Sequence, residues 1–477
     1  MVMRQGVVRV LVALAAGFSA CAGALAGEDY RWVQYVPGGL EVRAITDKVA
    51  CPSLTLDGAP MPMSVRSPPS EAYPVTVCAA RVPLGTHRAF LDGVPLALPA
   101  LEPKKILLIG DTGCEVKGEK AQACNDVSQW PFRVGADVSA TLKPDLVLHV
   151  GDFHYRETPC PSDAAGCTGS PHGDTWSAWR ADFFAPAELL LNAAPWIFVR
   201  GHHEECDKGG TGWARTIDPY PMTGRAGCMG PAKPFVVRLA GLSIVVVDTS
   251  TVDESQPNDK QIAFFRDQFS SLSRLAPAGP VWIATHRPLW STDGSVNRER
   301  SGGDSPTLQA AALGAIPANV QAIISGHQHK FEVDAYVQDL PLQIVAGHGG
   351  DTLSSSAPRD PAGLTVGGVT VKSGFAKPNT FGFAMLERDE VGGDWTVTDY
   401  DVKGHPLGRC RLSGRSASCE DLSTEKGQRV RVGDAFPDVL AVTPGLRETT
   451  NAIAPAPAPA VKCGPNGKLP NGKRCKK

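Results

Sequence analysis

Five short polar clusters, each directly behind a compact apolar run, constrain this chain more than any other feature. They are Gly110-Asp111-Thr112-Gly113, Gly151-Asp152-Phe153-His154-Tyr155, Arg200-Gly201-His202-His203-Glu204, Thr285-His286-Arg287-Pro288 and Gly326-His327-Gln328-His329. The runs ahead of them, at 106–109, 146–150, 196–199, 281–284 and 322–324, have the composition of buried strands. Helical patterns lie between, at 127–142, 176–191 and 261–275. The last repeats Ile262, Phe265, Phe269 and Leu272 along one face. Further strands are expected at 235–239 and 243–247, joined as a hairpin through Ala240-Gly241, and at 342–345. Runs at 381–386 and 395–402 read as a closing pair. Strands alternating with helices give an α/β architecture with mixed sheets.

In such sheets the carboxyl ends of the strands gather on one edge, where ligands bind. Two carboxylates, one phenol and several imidazoles brought to that edge suit a transition-metal site. Carboxylates can bridge two ions, and imidazole fits Zn, Fe, Cu and Ni. Each cluster alone has a plainer reading. Asp111 can be a turn residue, Gly151-Asp152 an ordinary loop and His202-His203 a polar one. His327 and His329 can be two exposed residues on one strand face, and Tyr155 a packing residue. The ordered set is what carries weight: five of the 11 histidines fall in the last three clusters.

The set resembles the calcineurin-like metallophosphoesterases, and within them the purple-acid-phosphatase branch. That branch is marked by Asp-x-Gly, Gly-Asp-x-x-Tyr, Gly-Asn-His-Glu, a His behind a strand, and Gly-His-x-His. Residues 105–400 carry the resemblance. It implies a four-layer αββα core, with a small all-β domain ahead of it, and two metal ions. One ion would be held by Asp111, Asp152, Tyr155 and His329. The other would be held by Asp152, His202, His286 and His327, with Asp152 bridging. Iron is implied at the Tyr155 position, and zinc or iron at the His202 position. His203 would lie over a substrate phosphate as proton donor or charge stabiliser. Arg200, Arg287 and His348 are candidates for phosphate contact. One departure stands out: the family's Asn ligand is His202 here. The implied activity is hydrolysis of phosphate esters by metal-activated water.

The first 26 residues read as a secretory signal. Arg4 and Arg9 precede an apolar run at 10–18, and Ala24-Leu25-Ala26 forms a small-residue cleavage pattern. The run is short for a membrane span of about 20 residues. A lipoprotein reading would use Cys21, against which the bulky Phe18 speaks. The expected location is periplasmic or secreted. Of 13 cysteines, 12 remain beyond the signal, an even number that fits an oxidising compartment. They fall into neighbouring pairs: Cys51/Cys78, Cys114/Cys124, Cys160/Cys167, Cys206/Cys228, Cys410/Cys419 and Cys463/Cys475. Spacing does not dictate connectivity, and neighbour pairing is the simplest arrangement. No Cys-x-x-Cys supports a zinc ribbon. Lys+Arg 47 against Asp+Glu 49 leaves a net charge of −2, so no basic field is available for nucleic acid or anionic lipid.

The expected organisation is a signal at 1–26, a small β domain at 27–100 and a catalytic domain at 101–405. An extension follows at 406–453, then a stiff Ala/Pro linker at 454–460 and a basic tail at 461–477 closed by Cys463 and Cys475. Two other function classes compete. Asp111-Thr112-Gly113 and Asp248-Thr249-Ser250 imitate the halves of an aspartic protease site, in which two carboxylates share a proton. A non-catalytic surface protein binding phosphate at a degenerate metal site is the third class, and His202 keeps it open.

Overall fold

The structure, a computed structural model, describes residues 29–222, 228–292, 305–355 and 357–423. The segment expected to be a signal, with Cys21, the expected linker and the Cys463/Cys475 tail lie outside the described residues.

Two sheets of eleven and eight strands dominate. In the first, Lys105–Ile109, Leu146–His149 and Trp196–Phe198 run parallel. In the second, Leu242–Val246, Val281–Ala284, Val320–Ser325 and Leu342–Ala346 run parallel. Side chains alternate between faces along a strand, and these strands are apolar on both. Ile106, Leu108, Leu146, Leu148 and Ile197 meet Ile244, Trp282, Ile324 and Ile344 in the core between the sheets. The alternate residues Leu107, Ile109, Val147 and Trp196 face outward under Phe132, Trp179 and Leu190. Val245, Ile283 and Ile323 do the same under Phe265, Phe269 and Leu272. Each sheet is thus covered by helices on its outer face, which gives the four layers expected.

Helix Asp259–Leu275 begins where Asn258 accepts a hydrogen bond from the Gln261 amide, a side-chain N-cap. The expected hairpin forms between Phe235–Leu239 and Leu242–Val246. Gly382–Glu387 pairs antiparallel with Trp395–Asp401 and with Lys105–Ile109, extending the first sheet on that side.

The N-terminal region is β throughout, but divided. Tyr30–Val36, Gly39–Thr46, Ser64–Ser67 and Thr76–Val82 continue the eleven-stranded sheet beside Trp196–Phe198, while four shorter strands form a sheet of their own. Tyr30 and Trp32 pack into the same outer core as Trp196. Two expectations are corrected. The stretch 176–191 is not one helix: Trp176–Trp179 opens into a wider π turn at Arg180–Phe184 and resumes at Glu188–Ala193. The pattern also does not fade after 405. Pro406–Ser413 and Ser416–Asp421 add two edge strands, with Cys410 and Cys419 bonded directly across the pair.

Five neighbour pairs of cysteines are disulfides: Cys51–Cys78, Cys114–Cys124, Cys160–Cys167, Cys206–Cys228 and Cys410–Cys419. Among the described residues no helix is long and apolar enough to cross a membrane.

Candidate metal centre

The parallel strands deliver their carboxyl ends to one edge, and the backbone there is bent sharply. Asp111, Asp152 and His327 sit at φ of +54°, +59° and +69°, a region that residues other than glycine rarely occupy. Such strain clusters at sites where it aims a side chain. Close approach also demands glycine. A Cβ on Gly201 would stand 2.0 Å from Asp152 Oδ1, and one on Gly326 2.3 Å from Asp111 Oδ2.

The residues named from sequence converge in two overlapping groups. In the first, the Tyr155 hydroxyl lies 3.2 Å from Asp111 Oδ1, 2.9 Å from Asp152 Oδ2 and 3.3 Å from His329 Nε2. In the second, Asp152 Oδ2 lies 3.0 Å from His202 Nδ1 and 3.1 Å from His286 Nε2. Asp152, His202, His286 and His327 offer ligand atoms all within 4.8 Å of one another. Asp152 belongs to both groups.

The outward nitrogens are tied down, which leaves the inward ones as donors. His286 Nδ1 meets the Val150 carbonyl at 2.9 Å, and His329 Nδ1 meets the Thr352 carbonyl at 2.7 Å. His202 Nδ1 and His286 Nε2 face each other at 3.1 Å. Two lone pairs repel at that distance, so a cation or a shared proton must lie among them. His327 Nδ1 is buried with no hydrogen-bond partner. This donor set, four imidazoles with two carboxylates and a phenol, fits a transition-metal pair.

Electrostatics agree. Burial would raise the Asp152 carboxyl, but His202, His286 and His203 hold it well below the usual carboxylate range. Burial drives the His202 imidazole well below its usual value, against the pull of Asp152. Burial and the charges of Asp152 and Asp111 push the Tyr155 phenol well above its ordinary value. A phenolate here therefore requires a neighbouring cation.

His203 is buried beside the centre. Its amide donates to Asp152 Oδ1 at 2.9 Å, its Nδ1 meets Glu157 Oε1 at 2.6 Å, and its ring centroid lies 3.9 Å from that of Tyr155. Against burial, which would raise it, the His203 imidazole with Lys117 behind lowers the Glu157 carboxyl to about 2.

The three phosphate-contact candidates make contacts within the protein. Arg200 donates to the carbonyls of Glu204 and Met229, pinning the turn that carries His202. Arg287 pairs with Glu254 and donates to the Ser250 carbonyl. His348 is fully buried against Asp399 at 3.0 Å. The Arg200 guanidinium is bound to backbone carbonyls, whereas Arg287 Nε and His348 Nδ1 are buried without a hydrogen-bond partner. Asp111 and Asp248 do not form a proton-sharing pair. Asp111 accepts from the His327 amide. Asp248 follows a strand of the other sheet and accepts from Ser250 and Ala232.

Supporting residues were missed. The Glu204 carboxylate accepts four backbone N–H bonds, from Gly201, Asp152, Phe153 and His154, at 2.8 to 3.2 Å. Its signal was present, as the last residue of the His-Glu cluster. Asp182, on the π turn, accepts from the amides of Cys114, Tyr155 and Arg156. Only long-range packing brings it there.

Residues 104–331 match the model of the calcineurin-like phosphoesterase family. The fold is similar to that of purple acid phosphatase PPD1 from yellow lupin (Lupinus luteus) seeds. That match has a TM-score of 0.51 and 12% identity, over 80% of this chain and 73% of that one. It is also similar to PhoD, with a TM-score of 0.52 and 10% identity over 83% and 92% of the two chains. No curated protein sequence matches.

Proposed function

We propose, from the match of residues 104–331 to the calcineurin-like phosphoesterase family, that the chain is an exported, two-metal phosphoesterase of the purple-acid-phosphatase type that hydrolyses phosphate esters. One observation carries the reading. Asp152 Oδ2 lies 2.9 Å from the Tyr155 hydroxyl and 3.0 and 3.1 Å from His202 and His286, so one carboxylate oxygen serves both donor groups.

Asp111, Asp152, Tyr155 and His329 would hold one ion, and Asp152, His202, His286 and His327 the other. The phenol would select iron at the first position, and three imidazoles would select zinc or ferrous iron at the second. Bound there, the two ions supply electrophilic chemistry, acidifying water and neutralising phosphate charge. The protein supplies position. The Glu204 carboxylate fixes the Asp152 loop through backbone bonds, and Gly201 and Gly326 let the loops close on the carboxylates. His203, with Nδ1 occupied by Glu157, keeps Nε2 for a proton at the leaving oxygen or for charge on the phosphate. The disulfides Cys114–Cys124, Cys160–Cys167 and Cys206–Cys228 close the loops that follow three of the clusters. They also fit an oxidising, exported location.

The test is elemental analysis of protein prepared from an oxidising compartment, coupled to a screen of phosphate mono- and diesters. Bound transition metal and chelator-sensitive hydrolysis are expected. Undiminished hydrolysis after complete metal removal would contradict the reading.

A further inference from the structure

The loop between strand Leu242–Val246 and helix Asp259–Leu275 crosses the same edge and is fastened at both ends. Thr249 Oγ1 shares a hydrogen bond with Thr285 Oγ1 at 2.7 Å and accepts from the Arg287 amide at 3.1 Å. Farther on, Gln261 in the first turn of the helix accepts from the Asp253 amide at 2.8 Å and donates to the Thr251 carbonyl at 2.9 Å. Asp253 Oδ1 accepts from the Ser255 amide and hydroxyl, at 2.9 and 2.6 Å. That side-chain turn presents Glu254.

The Glu254 carboxylate lies 3.0 Å from His327 Nε2 and also pairs with Arg287. His327 Nδ1, on the other side of the ring, is buried and has no hydrogen-bond partner. A carboxylate can only accept, so the ring proton sits on Nε2 and the lone pair on Nδ1. Arg287 follows His286 directly, so the same carboxylate ties together the backbone segments of two of the imidazoles.

We propose that Glu254 is a positioning residue for the second ion: it fixes the tautomer and angle of His327 and, through Arg287, couples the His327 turn to the His286 loop. The proposal rests on the two-metal reading above. Carboxylates that orient ligating histidines raise metal affinity by about 10- to 100-fold, which sets the size of the expected effect.

The test has two readouts, neither of them activity. Side-chain nitrogen NMR of metal-free protein, assigned with His327→Gln, should find His327 protonated on Nε2. Zinc titration against a chelating dye should then find two ions in the wild type. In Glu254→Ala, one ion should weaken by about 10- to 100-fold while the other holds its affinity. Glu254→Gln keeps an acceptor oxygen and should fall between. Glu254 is partly exposed, and unchanged backbone spectra would show that the variants fold. A wild-type His327 protonated on Nδ1, or a Glu254→Ala protein that binds both ions at wild-type affinity, overturns the role of Glu254 alone. A wild type that takes up no zinc and no other transition metal overturns the two-metal reading, and this proposal with it.

Discussion

His202 turns its Nδ1 into the centre, 3.0 Å from Asp152 Oδ2. The ring is only partly exposed, and the same nitrogen lies 3.1 Å from His286 Nε2. Imidazole Nδ1 and the amide Oδ1 of asparagine stand the same number of bonds from the backbone. The histidine thus puts a nitrogen donor where the purple-acid-phosphatase pattern implies an amide oxygen. It has not swung out of the centre.

The first prediction concerns that exchange of donor. Imidazole-rich sites suit Zn and Fe, and oxygen-rich sites suit Mn and Mg. His202→Asn should keep two ions but shift the second position toward Mn, read by competitive metal loading and elemental analysis. If metal content, metal preference and turnover all stay as in the wild type, His202 is not a ligand.

The second concerns Tyr155, whose hydroxyl touches Asp111, Asp152 and His329. With ferric iron at the first position, a phenolate ligand gives the protein a visible charge-transfer band. Tyr155→Phe should bleach the band. A colourless wild type shown by analysis to contain ferric iron would contradict coordination by the phenol.

The third concerns Glu204. Each of its two oxygens accepts two backbone N–H bonds. In Glu204→Gln, either amide orientation sets an NH2 group against two donors. The variant should lose roughly 2–4 kcal/mol of stability, and its affinity for both ions should fall because Asp152 moves. An unfolding midpoint equal to that of the wild type would show that the cluster does not hold the loop.

The fourth concerns pH. Burial pushes the Asp218 carboxyl up from 3.8 to about 6, against the pull of Arg66, Arg200 and Arg43. A carboxyl raised on folding gives stability that is full below its unfolded value and is lost as pH climbs through the folded one. Asp218→Asn lacks this loss. Its stability relative to the wild type should therefore improve by roughly 3 kcal/mol between pH 3 and 7, measured by chemical unfolding. A difference that stays constant with pH would contradict the shift.

The residues proposed as ligands were legible in the sequence because each cluster follows a short apolar run, and a buried strand fixes where its end points. The sequence did not expose what supports them. Glu254 stands in a polar loop with no neighbouring motif, and only the Asp253 turn and Gln261 aim it at His327. The strand Phe331–Tyr336 was missed for a related reason: Glu332 and Asp334 are fully buried on its outer face, which breaks the hydrophobic pattern. Nor did the sequence show which partners the cations near the motifs take: Arg200 binds the Glu204 and Met229 carbonyls, and Arg287 pairs with Glu254. The helix over 176–191 has a sound periodic pattern, but its π turn places Asp182 under Tyr155, a tertiary demand that periodicity does not carry.

The most direct test is metal stoichiometry in Asp152→Ala beside the wild type, with phosphoester turnover measured on the same samples. The shared carboxylate predicts two ions per chain in the wild type, with both positions weakened and turnover abolished in the variant. An Asp152→Ala protein that keeps two ions and ordinary turnover would contradict the account.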